Sequence, residues 1–179
     1  MHPLQTFSDI AAAVKSLPGT YFAVDGDEPA AEAAREMAAA LGGRSFCVPP
    51  EKRALYHAAA CVASNYTVAL LHAAARMLAA VGMPEREALA ALAPILRATL
   101  ENAQALGPLQ ALTGPIVRGD VETVDKHLRS IDELSPEEST VYRQLGIYAQ
   151  RMAQERGVYT PERQAELLTT LHRVIHNCE

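Results

Sequence analysis

The hydrophobic pattern changes character near residue 50. Before it, TYFAVDGDE (Thr20 to Glu28) begins as a β-type run and stops at a turn signal. PAAEAAREMAAALGG (Pro29 to Gly43) then reads as a helix, with proline near its first turn and Gly-Gly at its end. RSFCVPP follows as a short strand closed by prolines. Strand, helix and strand within about thirty residues form the βαβ unit of a parallel sheet. Parallel sheets are normally covered on both faces, so a lone pair is a poor fold and the pattern calls for more strands.

From Glu51 onward the chain reads as helical. One helix spans about Pro50 to Val81 and stops at Gly82; Met83 to Leu106 continues as a second helical region with a kink expected at Pro94. GPLQALTGPIVRGD (Gly107 to Asp120) is the most loop-like segment. VETVDKHLRSI is a short helix. The next begins at Ser135 as N-cap, with Pro136 at the first position and Glu138 as the capping-box residue; a last helix starts at Thr160 with the same Pro-Glu opening.

Within the first long helix, His57, Cys61 and Ser64 fall within roughly 60° of one another, and Asn65 widens the arc to about 100°. Ala58, Ala59, Ala60 and Ala63 leave little bulk around this face. Polar groups there need partners, because burying them unpaired costs free energy. Two readings are open. His57 and Asn65 bond carbonyls at a helix-packing interface while Cys61 acts as a small hydrophobe, or the face is a pocket wall.

Composition narrows the classes. Of 179 residues, 49% are hydrophobic and 21% charged, an ordinary globular balance that argues against disorder. The formal net charge of -5, with no basic cluster interleaved with aromatics, argues against nucleic-acid binding. The longest apolar stretch, Ala54 to Val81, is interrupted by His57, Ser64, Asn65, His72 and Arg76, which disfavours a membrane span. No signal peptide is visible, and three cysteines without CxxC spacing (Cys47, Cys61, Cys178) suit a reducing cytoplasm.

HPLQTFSD, GTYFAVDGD, YHAAACVASNY and LRATLENAQALGPLQALTGPIVRGD, in this order, resemble one bacterial oxidoreductase-like family. Its members combine an N-terminal Rossmann-like NADP-binding domain with a helical C-terminal domain of unknown function. In architecture the family is similar to pyrroline-5-carboxylate reductase and to the 6-phosphogluconate and β-hydroxyacid dehydrogenases. The resemblance implies a mainly α fold: a βαβ remnant of the Rossmann-like sheet at 1–50, then a helical 6-phosphogluconate-dehydrogenase C-terminal-like domain at 51–179 for substrate binding and dimerisation. The family's Gly-rich loop is expected ahead of HPLQTF, and no G-x-G-x-x-G exists in this sequence. The chain therefore reads as the back half of a longer protein, binding no NADP alone.

The resemblance also implies site residues. β-Hydroxyacid dehydrogenases place a catalytic Lys four residues before an Asn; if Asn65 matches that Asn, Cys61 stands at the Lys position and cannot act as a cationic acid. His57, one turn earlier, is then the candidate proton donor. His2 and Pro3 resemble the loop beside the nicotinamide site, the alternative being a disordered N-terminus. Ser64 and Cys61 would line the substrate side. In related reductases the loop matching Thr113 to Asp120 lies near the active site, so Thr113 and Arg118 are candidates for holding an anionic substrate group. The plainer reading is a helix-helix turn with Asp120 as N-cap, and both can hold together.

His172 and His176 stand one turn apart near Cys178, but no full ligand set is evident, so no metal site is assigned and a solvated helix end is favoured. A hydrolase is unsupported, as G-x-S-x-G is absent. Two functional readings follow. In one, the chain is the substrate-side and dimerisation portion of an NADP-dependent oxidoreductase of a small polar carbonyl or imine, inactive alone. In the other, it is a non-catalytic dimeric helical interaction module. Both expect a homodimer, and neither identifies the substrate.

Overall fold

A computed structural model describes residues 1–7 and 9–173. The chain divides into two compact units, Met1–Leu70 and Leu71–Glu179.

The first unit is built on a three-stranded sheet of order β1-β2-β3, with β1 at His2–Pro3, β2 at Tyr21–Val24 and β3 at Arg44–Cys47. β2 and β3 are parallel, pairing Tyr21 with Arg44 through Val24 with Cys47. Helix α2 (Glu28–Ala40) links them, so the βαβ unit read from the pattern is present. β1 runs antiparallel on the other edge, His2 opposite Ala23. Between them, β2 buries Phe22, Ala23 and Val24 in succession, the signature of a strand covered on both faces. Ala31, Ala34 and Ala38 of α2 supply small buried side chains, and Val24 packs with Ala31 and Ala34.

Gly43 returns the chain from α2 to β3 against the Phe22 ring. A Cβ there would lie 2.6 Å from the Thr20 carbonyl oxygen, so the position admits no side chain without movement of the backbone. Helix α1 (Ile10–Ser16), which the hydrophobic pattern did not announce, is capped by Asp9, whose carboxylate accepts from the Ala12 N–H at 2.8 Å.

The predicted Pro50–Val81 helix is three pieces: a 3₁₀ turn at Pro50–Lys52, then α3 (Arg53–Ala63) and α4 (Asn65–Ala80). Ser64 interrupts it with φ -110° and ψ -72°, although its N–H still bonds the Ala60 carbonyl. The arc of polar residues thus has a break inside it. Pro50–Ala80 is long and apolar enough to cross a membrane by length and composition, and little of it is buried.

In the second unit, α5 (Glu85–Leu106) continues unbroken through Pro94. The expected loop at 107–120 contains two single-turn helices, α6 (Pro108–Ala111) and α7 (Pro115–Arg118). Both start with proline, and Gly119 closes α7 in the left-handed region at φ 64°. The core lies among α8 (Val121–Leu134), α9 (Pro136–Glu155) and α10 (Pro161–His172). Val124 and Leu128 of α8 meet Leu167 and Leu171 of α10, with Ile116, Val121, Tyr142, Ile147 and Tyr159 around them. Asp120, Ser135 and Thr160 are the N-caps, as read from the sequence. The expected box residue Glu138 pairs with Arg76 at 2.7 Å, while the Ser135 hydroxyl donates to the Glu137 carboxylate.

Arg143 ties the three helices together. Its Nη2 reaches both Asp132 carboxylate oxygens at 2.8 and 3.1 Å, and its Nη1 donates to the Leu171 carbonyl at 3.2 Å. Ser139 donates to the same carboxylate, so one half-buried acid is held by two donors.

Two stability predictions follow from these contacts. Arg143→Leu leaves Asp132 without its cation and is expected to destabilise the protein by about 3 kcal/mol; Arg143→Lys restores the charge without the planar fork and recovers part of the loss, read by urea unfolding. Asp120 is held below the usual carboxylate range by hydrogen bonds from the Thr123 hydroxyl and then its backbone N–H. A depressed folded-state pKa contributes stability that is full above the unfolded value and is lost as pH falls through the folded one. Asp120→Asn should therefore weaken the acid dependence of the thermal midpoint below pH ~4.

Candidate functional site

A cleft of about 270 Å³ opens in the first unit where β2 and β3 end. Ala23, Asp25 and Val48 come from the strand ends, Met1 and His2 from the β1 edge, and Arg53, Tyr56 and His57 from the first turns of α3. The positions follow from local rules. Val48 extends the parallel ladder by donating to the Val24 carbonyl at 3.0 Å. Proline at 49 and 50 then ends the strand and starts the 3₁₀ turn that delivers α3.

The polar wall of the cleft is a chain of rings. His2 Nδ1 lies 3.0 Å from the Tyr56 hydroxyl, and the two rings meet edge to face with centroids 5.6 Å apart. His57 stands edge-on to His2 at 6.2 Å, and Phe46 packs on the other side of Tyr56 at 5.8 Å. Partial burial pushes the Tyr56 phenol above its usual pKa, so it keeps its proton at neutral pH. Arg53 forms an ion pair with Asp25 across the cleft floor, so the two charges compensate each other. What remains is a small, largely aliphatic cavity with a protonated phenol and two imidazoles on one side. That arrangement can orient a polar oxygen or nitrogen and offer it a proton.

The residues proposed from the sequence divide between places. His2 and His57 line this cleft together. Cys61 sits one turn further along α3, its Sγ 3.6 Å from His57 Nε2. Pro3 pairs with Phe22 in the sheet, half-buried, beside the cleft lining rather than in it. Ser64 and Asn65 lie at the helix break and do not line the cleft; Asn65 is exposed. Thr113 lies in the second unit, on a cleft of about 220 Å³ with Pro115, Ile116, Tyr142, Leu145 and Gly146. Arg118, also in the second unit, is exposed at the end of α7 and does not line that cleft. His172 turns back on its own helix, Nδ1 2.8 Å from the Leu168 carbonyl. His176 and Cys178 lie outside the described residues.

Sequence reasoning missed Tyr56, Arg53 and Asp25. A signal existed for Tyr56, one of two tyrosines in an alanine-rich helical stretch and the immediate neighbour of His57. Its partner His2 is 54 residues away, a distance that no helical spacing spans.

The NADP implied by the family resemblance needs a pyrophosphate site, normally the N-terminus of a helix that follows a strand. The family's own loop is expected ahead of His2; within this chain the helix that directly follows a parallel strand and could stand in for it is α2. Asp27 caps it, its carboxylate accepting from the Ala30 N–H at 3.0 Å, and Glu28 fills its first turn. Nearby Arg35 is already held by Glu28 and Glu32 at 3.1 and 2.6 Å. Carboxylates therefore occupy the place where phosphate oxygens would sit, and these residues do not fit that group.

The fold is shared with solved structures, among them two bacterial proteins. Protein TM1727 from Thermotoga maritima superposes with a TM-score of 0.74 at 26% identity, covering 87% of this chain and 61% of its own. The "putative NADP oxidoreductase BF3122" from Bacteroides fragilis gives a TM-score of 0.68 at 23% identity, covering 83% and 55%. The chain thus spans less than two thirds of each of these relatives. No curated protein matches it. The model of the domain of unknown function DUF2520 matches residues 20–149, most of the chain, from β2 into α9, and the chain belongs to that family.

Proposed function

We propose that this chain is the substrate-side and dimerisation portion of an NADP-dependent oxidoreductase of the cytoplasm, acting on a small polar carbonyl or imine. The observation that carries the reading is the cleft at the carboxyl ends of the two parallel strands, where His2, Tyr56 and His57 converge. In open α/β sheets this is where ligands bind. One structural relative bears the name of an NADP oxidoreductase, which agrees in reaction class. The acid-capped α2 offers no pyrophosphate cradle, so cofactor binding falls to residues other than these.

The second reading, a non-catalytic dimeric module, draws on a different observation. In the first unit, α3 and α4 expose Leu55, Val62, Tyr66 and Val68; in the second, α5 exposes Ile95 and Leu100. Apolar exposure of this kind in either unit marks an association surface. A homodimer serves both readings, and they differ in what the first cleft does.

NADPH fluorescence titration of the chain, with light scattering on the same sample, separates them from the start. The expected result is a dimer with neither saturable NADPH binding nor NADPH oxidation. Saturable binding would overturn the assignment of the cofactor to other residues, and a monodisperse monomer would overturn the dimer.

A further inference from the structure

Deepening the proposed site, we infer that the first cleft holds its ligand by a carbonyl or carboxylate oxygen that accepts a hydrogen bond from the Tyr56 hydroxyl, with His2 as the positioning residue. A phenol hydroxyl has one proton to donate and lone pairs that accept. His2 Nδ1, 3.0 Å away, takes up one of these roles. If Nδ1 is bare, Tyr56 donates to it and presents only an acceptor to the cleft. If Nδ1 carries a proton, His2 donates and the Tyr56 proton is free to point into the cavity. A carbonyl ligand therefore selects the Nδ1–H form of His2, and a ligand offering only N–H or O–H selects the other.

The remaining lining favours the carbonyl case. Asp25, the one carboxylate among the residues that line the cleft, is ion-paired with Arg53, which competes with a donor ligand for it. Met1, Ala23 and Val48 give an aliphatic wall for a short carbon chain. The phenol holds its proton through neutral pH because burial raises its pKa. Phe46 and His2 both contact the ring edge to face and favour this orientation. His57, the donor expected from the sequence, already has Nε2 beside the Cys61 thiol.

The inference rests on the cleft being a ligand site, and its test does not depend on turnover. The full chain, labelled with ¹⁵N-histidine and ¹³C-tyrosine, is titrated with two probes, 2-oxobutyrate and butan-2-one, and followed by NMR. The first carries both a carboxylate and a ketone; the second carries a neutral ketone alone and no hydrogen-bond donor. At least one probe is expected to bind saturably, move the Tyr56 ring resonance and shift His2 Nδ1 to its protonated position. Binding of butan-2-one assigns the interaction to a carbonyl, and binding of 2-oxobutyrate alone assigns it to the carboxylate. Tyr56→Phe keeps the packed ring, checked by circular dichroism, and is expected to weaken binding about tenfold, the scale of one lost hydrogen bond. His2→Ala should weaken binding and loosen the Tyr56 ring, a broadening that a merely structural His2 far from the ligand would not couple to affinity. Equal binding by Tyr56→Phe, an unmoved His2 Nδ1, or no binding of either probe overturns the inference. Binding as described, with no oxidoreductase activity in any longer form of the protein, overturns the reaction class and leaves the ligand site standing.

Discussion

Everything in the first unit hangs on β2 being buried from both sides. Phe22 and Val24 point to one face of a four-residue strand and Ala23 to the other, and neither face meets water. Such a strand must have a cover. Alanines at 31, 34 and 38 let α2 lie close on one side, and the absence of a side chain at Gly43 lets the chain turn back against the Phe22 ring. The strand in turn fixes its neighbours. β1 pairs along one edge and puts His2 opposite Ala23; β3 pairs along the other and releases the chain at Val48. The cleft is what lies between these exits, so its geometry is a by-product of strand burial.

The second unit is held by a different balance. Its aliphatic core is small, and much of its order is polar. Asp120, Ser135 and Thr160 satisfy the free N–H groups at three helix starts, and Arg143 satisfies carbonyls at one helix end. A half-buried arginine is worthwhile only when its donors are all placed. Here one carboxylate, one hydroxyl and the last turn of α10 take them. Charge thereby does for α8, α9 and α10 what aliphatic volume does for the sheet.

How much of this was legible depended on range. The βαβ unit, the N-caps and the helix starts at Pro136 and Pro161 are written within a few residues, and the sequence displays them. The long helix was visible, but its interruption was not, because Ser64 is an acceptable helix residue whose torsions are set by its surroundings. α1 hid behind an exposed apolar surface: Ile10 is 85% and Val14 63% exposed, so the periodicity that reveals buried faces had nothing to report. In the candidate site, His57 was found from the polar face of its helix and His2 by resemblance, whereas the hydrogen bond that ties His2 to that helix runs to Tyr56 across 54 residues. Arg143 was missed for the same reason, since Asp132 is eleven residues away on another helix.

Gly146 does two jobs with one missing carbon. It lets α9 approach α10 so closely that a Cβ would fall 2.7 Å from a Leu171 methyl and 3.3 Å from one of Ile116. The same glycine lines the cleft beside Thr113. The depth of that cavity is therefore inherited from the helix crossing and cannot be adjusted on its own. Divergence toward another occupant has to proceed at the rim, through Thr113 or Leu145, because the floor is already committed to holding the unit together.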